Sequence, residues 1–451
     1  MTWGPTGDGG AAGAARARHS SSAPVLIRGA RVVRREEGPL GAVDVLLAGG
    51  RIEDAGASLT APRGVQVVDG RGLWLVPGWI DIQVNDMDWI AQGPKAPAEH
   101  AARVRTVLLH QAARGVTGLV LATLAAPLED ILAYLRGMAE VLEAARGTRC
   151  DPIDRAFIGG LVEGTFMNPA LSGAHNPAWI LEPQREVLDR LLDTGAAKLI
   201  NIAPETSPDA IDLIRHAVSR GAVVGAGHAK PHAERLREAV AAGLKYIIHL
   251  GNGPTGSSLK AFRDGGMLEE SLRNDDIVAS IIMDGIHIHP GLVRDWIARK
   301  GLTRVIGTSD AAFALDPPRG GFEVLGIEGR VSEDGRWLKV VPRPGVQAAN
   351  PSSSDFGALF GSAASMRDVF ENALNWLTRE MTGVATRSHA AMELDGALRA
   401  ASLLCSTNPA GLIGLGDRGE IATGKRADAI LLEIEGGPGS YSVRVRETRV
   451  A

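Results

Sequence analysis

Two histidines, His228 in Val-Val-Gly-Ala-Gly-His and His249 in Tyr-Ile-Ile-His-Leu, each close a short apolar, β-branched run. Such runs read as buried strands. Glu163 closes Ala-Phe-Ile-Gly-Gly-Leu-Val-Glu and Asp310 closes Arg-Val-Ile-Gly-Thr-Ser-Asp in the same way. One carboxylate and two imidazoles make a three-ligand set for a divalent ion, zinc first, with a fourth position open to water. Asp310 is then left to carry a proton. A single histidine at a strand end is more often a structural hydrogen-bonding residue, and an aspartate there can instead cap a following helix. Four such ends with helical segments between them point to one face of a (β/α)8 barrel, where such enzymes keep their chemistry.

The elements that must position these residues recur along the chain. Strands are expected over 78–84, 118–122, 156–163, 198–203, 223–228, 246–249, 277–284 and 304–310. Amphipathic helical patterns fall at 98–113, 128–145, 208–219, 231–242 and 291–299. Alternating strand and helix argues for a closed parallel barrel, α/β in class, over residues 77–410. Residues 24–76 and 411–451 instead carry short alternating strands with Gly-rich turns, and read as two halves of one small β-sandwich built from both termini. Residues 1–23, rich in Gly, Ala, Ser and Arg without periodicity, read as a disordered extension. An insertion near 316–355 follows the last barrel strand and contains a hairpin-like stretch, 326–341, with Glu-Asp-Gly as its turn.

Composition narrows the class. The 451 residues suit a full barrel with an accessory module, and 45% hydrophobic content supports a large core. A net charge of −4 gives no case for nucleic acid or membrane binding. No apolar run has the length of a membrane span. Two cysteines cannot build a disulfide framework, so a reducing, cytoplasmic setting is expected.

Leu-Val-Pro-Gly-Trp-Ile-Asp-Ile-Gln-Val-Asn (75–85) resembles the first-strand signature of the amidohydrolase superfamily, and more narrowly of N-acetylglucosamine-6-phosphate deacetylases. Further matches follow in the family's order. They are Val-Glu-Gly-Thr-Phe and Gly-Ala-His-Asn-Pro (Glu163, His175), Ile-Ala-Pro-Glu, Gly-His (His228), His-Leu-Gly-Asn (His249, Asn252), Met-Asp-Gly-Ile-His (His287) and Thr-Ser-Asp-Ala (Asp310). The resemblance covers residue 25 to the C-terminus. It implies Glu163, His228 and His249 as ligands of one divalent metal ion, zinc in first place, with Fe, Mn and Co open. Asp310 is implied as catalytic base and acid. Gln83 and Asn85 stand where most amidohydrolases place the His-x-His of a second metal, which implies a single-metal branch and leaves both amides to hydrogen-bond substrate or the site. His175, Asn252 and Gly253 are implied as substrate contacts, and His287 and Arg263 as phosphate contacts. The family's phosphate arginine reaches across from a neighbouring subunit, so a homodimer is implied.

The expected reaction removes an N-acetyl group from an amino sugar, N-acetylglucosamine 6-phosphate first. The sequence departs from the family at Asp86–Trp89, Thr165 and Gly253–Pro254, all on the side expected to meet substrate. Those departures keep open a different N-acyl amine or an unphosphorylated sugar. A catalytically silent ligand-binding barrel is the reading from another class.

Overall fold

The computed structural model describes residues 24–36, 38, 40–148, 150–252, 264–341, 358–385 and 388–451, and the backbone path of Arg16–His19. Within them, parallel strands follow one another around a barrel: β1 (Trp79–Asn85), β2 (Val116–Ala122), β3 (Phe157–Phe166), β4 (Ala197–Ile202), β5 (Val223–Ala226), β6 (Tyr246–Ile247), β7 (Val278–Ile282) and β8 (Val305–Thr308). A parallel bridge from Val84 to Ala311, and the Asn85 N–H donating to the Ala311 carbonyl at 2.7 Å, draw the end of β8 back to β1. The outer layer is α1 (Pro97–Ala112), α2 (Leu128–Arg146), α3 (Arg185–Leu192), α4 (Ala210–Ser219), α5 (Ala233–Ala241), α6 (Met267–Arg273), α7 (Pro290–Lys300) and α8 (Met366–Leu377). Local chemistry sets their ends. Pro290 opens α7 and Gly301, at φ 77°, stops it; Ser365 and Asp368 form a reciprocal capping box at the start of α8. The expected barrel stands, and each expected strand overlaps an observed one. The sequence reading runs β5, β6 and β8 on to His228, His249 and Asp310; the ladders stop two residues earlier, because those three residues turn into left-handed backbone.

Alternation along the strands separates two apolar layers. Ile80, Ile82, Val120, Ala122, Leu161, Leu199, Tyr246, Ile248 and Ile306 fill the barrel interior, with Ala410 and Ile413 packed into the same cluster. The strand starts are tied to that C-terminal stretch, where the Asn408 amide donates to the carbonyls of Leu302 and Val305 at 2.7 Å each. The opposite side chains, such as Trp79, Val84, Leu119, Leu121 and Val162, meet the helices.

A second, mixed sheet takes strands from both ends of the chain, in the order Arg16–His19, Ser442–Val450, Ala429–Glu435, Trp74–Pro77, Val25–Val32, Ala42–Ala48, Arg51–Gly56, with Gln66–Asp69 also pairing with Val25–Val32. It wraps its own core of Val25, Ile27, Val45, Ile52, Leu75 and Leu431. Arg16–His19 corrects the expectation of an unstructured stretch over 1–23: it lies parallel to Ser442–Val450, whose edge offers unpaired N–H and C=O groups for a strand to satisfy. The insertion is a four-stranded antiparallel sheet of Gly321–Val324, Ile327–Val331, Trp337–Val340 and Leu359–Ser362. Phe313, Phe322 and Phe360 stack edge to face and seat it on the segment after Asp310. Its tip, Leu325–Gly326, has positive φ at both positions and touches the loop after β3, where the Asn176 amide donates to the Leu325 carbonyl at 2.9 Å. Among the described residues no helix is long and apolar enough to cross a membrane.

Asp86–Trp89, expected to line the substrate side, turns instead into the packing of α1 against α2. Asp86 is fully buried, accepts from Arg103 at 2.7 Å and from the Tyr134 hydroxyl at 2.9 Å. The Trp89 indole donates to His100 and is covered by Lys95 and Arg103. Burial, with the charge of Asp88 adding to it, pushes the Asp86 carboxyl up against the pull of Arg103 and Tyr134. Removing one partner of a buried ion pair leaves a charge without compensation. Arg103→Ala is therefore expected to lower stability by about 3–5 kcal/mol, and Asp86→Asn in the same background to restore part of it, read from denaturant midpoints.

Candidate metal and proton-transfer site

The interior alternation ends in a polar layer. Two residues beyond inward-facing Leu161 on β3 comes Glu163, buried at 2% exposure. Gly164 follows at φ 84°; a Cβ there would lie 2.1 Å from the Ala125 backbone nitrogen, so only glycine lets the loop after β2 close over the carboxylate. His228, His249 and Asp310 sit two residues past the ends of their strands at φ 48°, 33° and 48°. They are three of the five non-glycine residues with left-handed φ among the described residues. Such backbone is disfavoured for side chains with a Cβ and persists where surroundings over-determine it, commonly at functional sites. No helix follows Asp310, whose next regular element is the strand from Gly321, so the helix-cap reading falls.

The side chains converge. His249 Nε2 lies 2.9 Å from Glu163 Oε1, and His228 Nε2 lies 3.6 Å from the same oxygen. The rings of His175, His228 and His249 follow one another edge to face at 5.1 and 5.0 Å. Potential ligand atoms of Glu163, His175 and His228 all lie within 4.8 Å of one another, a spacing that suits one metal ion. Hydrogen bonds separate the imidazoles. His228 Nδ1 faces the Leu171 carbonyl at 2.7 Å and must donate to it, which leaves the Nε2 lone pair toward Glu163. His175 Nδ1 accepts from the Ala125 N–H at 3.1 Å, so the neutral ring carries its proton on Nε2 and offers a donor rather than a lone pair. The donor set of Glu163, His228 and His249 fits a divalent ion.

Gln83 and Asn85 serve the two carboxylates. The Gln83 amide donates to Glu163 Oε2 at 2.8 Å; the Asn85 amide donates to Asp310 Oδ1 at 2.8 Å and to the Ala311 carbonyl at 3.1 Å. Asn252 donates its backbone N–H to the His249 carbonyl, and its side-chain nitrogen is buried without a partner among the described residues. His287 Nδ1 is 2.7 Å from Asp284 Oδ2, and Asp284 also accepts two backbone N–H groups. Asp284 is a site neighbour without a role in the sequence reading, although it stands inside Met-Asp-Gly-Ile-His. Gly253 and Arg263 lie outside the described residues.

Charge follows geometry. Burial would raise the Glu163 carboxyl, but the hydrogen bond and charge of His249 overcome it and hold it low. Burial would lower His249, but Glu163 outweighs that and raises it. Burial and the neighbouring rings push His228 down to about 3. Burial raises Asp310, with Glu163 adding to it against the pull of His249.

A model of the amidohydrolase family matches residues 74–444. The chain belongs to the amidohydrolase family. As an amidohydrolase it is a metal-dependent hydrolase of carbon–nitrogen bonds, and the resemblance read from its motifs stands. It is 28% identical to an N-acetylgalactosamine-6-phosphate deacetylase of Shewanella sp. (strain ANA-3), over 80% of this chain and 79% of that one. It is 28% identical to the N-acetylglucosamine-6-phosphate deacetylase of Bos taurus, over 90% of each chain. The crystal structure of N-acetyl-D-glucosamine-6-phosphate deacetylase from Mycobacterium smegmatis shares its fold, with a TM-score of 0.71 at 23% identity, covering 93% of this chain and 99% of that chain.

Glu163 raises His249 against the effect of burial, so on the reading that His249 is a metal ligand its proton has to leave as an ion enters. Metal uptake by this amidohydrolase at pH 7 is expected to release about one proton per ion, with affinity rising as pH rises. Calorimetry in buffers of different ionisation enthalpy reads the proton. Saturation at two ions per chain would sink the one-metal assignment.

Proposed function

We propose that this amidohydrolase removes the N-acetyl group from an amino sugar, with N-acetylglucosamine 6-phosphate as first substrate. The observation that carries the reading is the convergence of Glu163, His228, His249 and Asp310 in one buried cluster. Glu163, His228 and His249 would hold one metal ion, zinc in first place. When bound, the ion lowers the pKa of a water and polarises the amide carbonyl. Asp310, poised by burial and aimed by Asn85, takes the proton from the attacking water and returns it to the departing amine. That return makes the amine a leaving group. The His175 Nε2–H is assigned to hydrogen-bond the carbonyl oxygen as charge builds on it. Asn252, Gly253 and Asn85 are assigned to the sugar and acyl group, with Gln83 steadying Glu163.

His287, fixed by Asp284, and Arg263 are assigned to the phosphate. The assignment of Arg263 carries a homodimer with it, since the arginine is expected to reach a neighbouring site. A cytoplasmic setting is part of the same reading, in keeping with free Cys150 and Cys405. Residues 24–76 with 411–451 are taken as one accessory module and 77–410 as the catalytic one. N-acetylgalactosamine 6-phosphate is the second reading, because relatives over most of the chain carry that name.

Two experiments test this. Asp310→Asn is expected to keep the fold and the metal yet lose about 100-fold or more in kcat; near-normal turnover in metal-loaded protein would remove Asp310 from the mechanism. On the two sugar phosphates and their unphosphorylated forms, Arg263→Ala is expected to cut kcat/KM on the phosphorylated substrate alone. A guanidinium clamps phosphate through paired, charge-assisted hydrogen bonds. Preference for the unphosphorylated sugar, with Arg263→Ala silent on both, would overturn the phosphate assignment and leave the deacetylase intact.

A further inference from the structure

Each of the four converging residues, or the residue before it, is gripped by a buried polar side chain from the adjacent strand or the loop leaving it. Thr123, directly after β2, donates its hydroxyl to the Glu163 carbonyl at 2.9 Å and accepts the Glu163 N–H at 3.2 Å. Asn201 on β4 accepts the Gly227 N–H at 2.7 Å and donates to the Gly227 carbonyl at 3.3 Å, closing both sides of the residue before His228. Ser280 on β7 accepts the His249 N–H at 2.8 Å and donates to the Ile247 carbonyl at 3.1 Å. Asp81 on β1 accepts from the hydroxyls of Thr308 and Ser309, the latter directly before Asp310. All four side chains are buried, at 1% exposure or less. Thr123 grips the peptide groups of Glu163 within β3, and the other three grip backbone or hydroxyl groups next to where β5, β6 and β8 end and the chain turns left-handed.

We propose that Thr123, Asn201, Ser280 and Asp81 form a ring of positioning residues, in which the first three fix the metal-ligand backbone and so set the site's affinity for its ion, and Asp81 fixes the approach to Asp310. Thr123, Asn201 and Ser280 act through peptide groups of a ligand or its neighbour, and Asp81 through the hydroxyls of Thr308 and Ser309. Side chains that hold metal ligands in place commonly govern affinity by 10–100-fold. The inference rests on the metal-binding role given above to Glu163, His228 and His249.

Thr123 offers the cleanest test, because valine matches its shape without the hydroxyl and serine keeps the hydroxyl without the methyl. Metal-free wild type, Thr123→Val and Thr123→Ser would be titrated with zinc against a chromophoric chelator, with circular dichroism and thermal unfolding recorded on the metal-free proteins. Thr123→Val is expected to bind zinc about 10-fold or more weakly at unchanged secondary structure, with Thr123→Ser close to wild type. Asn201→Ala serves as the second variant and is expected to weaken zinc by a similar factor through His228. Wild-type affinity in Thr123→Val and Asn201→Ala would overturn the ring while leaving the metal site standing. Equal weakening in Thr123→Val and Thr123→Ser would assign the effect to packing and overturn it as well. A wild-type protein that takes up no zinc or other divalent ion would overturn the metal-site reading itself.

Discussion

A carboxylate that is 2% exposed has to be compensated, and the compensation of Glu163 organises this molecule. A buried charge without a partner costs several kcal/mol. Glu163 meets that demand with His249 on one oxygen and the Gln83 amide on the other, and His228 stands within reach of the first. The three partners come from β1 and from the ends of β5 and β6, across the mouth of the barrel. One ionised side chain thus requires distant strands to stay in register. The same cluster that attracts a cation also stabilises closure of the barrel around it.

The second carboxylate obeys different rules. Burial raises Asp310, the negative charge of Glu163 adds to it, and the amide of Asn85 at 2.8 Å offsets part of the rise. Two carboxylates a short way apart are therefore pushed in opposite directions, one held ionised for a cation and the other made willing to hold a proton. A pair of acids separated in this way divides the work of a hydrolytic site. The division comes from neighbours: an imidazole beside Glu163, a neutral amide beside Asp310.

Much of this was legible in the sequence. The strands showed as short β-branched runs, and Glu163, His228, His249 and Asp310 stood out because four ionisable residues close such runs in turn, where any one alone would read as structural. The ordered motifs carried the family. Other features had no linear trace. Left-handed backbone at His228, His249 and Asp310 arises from contacts between strands far apart in sequence, and it shortened the ladders that hydrophobicity alone would extend. The opposite tautomers of His175 and His228 depend on Ala125 and Leu171, which carry no signal of their own. Asp86–Trp89 looked like a substrate loop because it follows Asn85, whereas its aspartate is claimed by Arg103 from the next helix. Polar residues set in apolar runs, Asn201 in Leu-Ile-Asn-Ile and Ser280 in Val-Ala-Ser-Ile, were the available signal for the gripping side chains, and period-two counting places both inside the barrel.

The sheet shared by the two ends of the chain constrains how the molecule is made. Trp74–Pro77 pairs with Ala429–Glu435, and Ala410 and Ile413 complete the barrel interior begun by Ile80 and Ile82. During synthesis the early strands leave the ribosome with an apolar face exposed and wait through more than three hundred residues for the strands that cover it. At about 5–20 residues per second that interval is tens of seconds. The barrel helices can form locally as they emerge, but Trp74–Pro77 cannot complete its pairing until Ala429–Glu435 has been made. For that interval the nascent chain presents unpaired strand edges, which are open to pairing with other exposed strands.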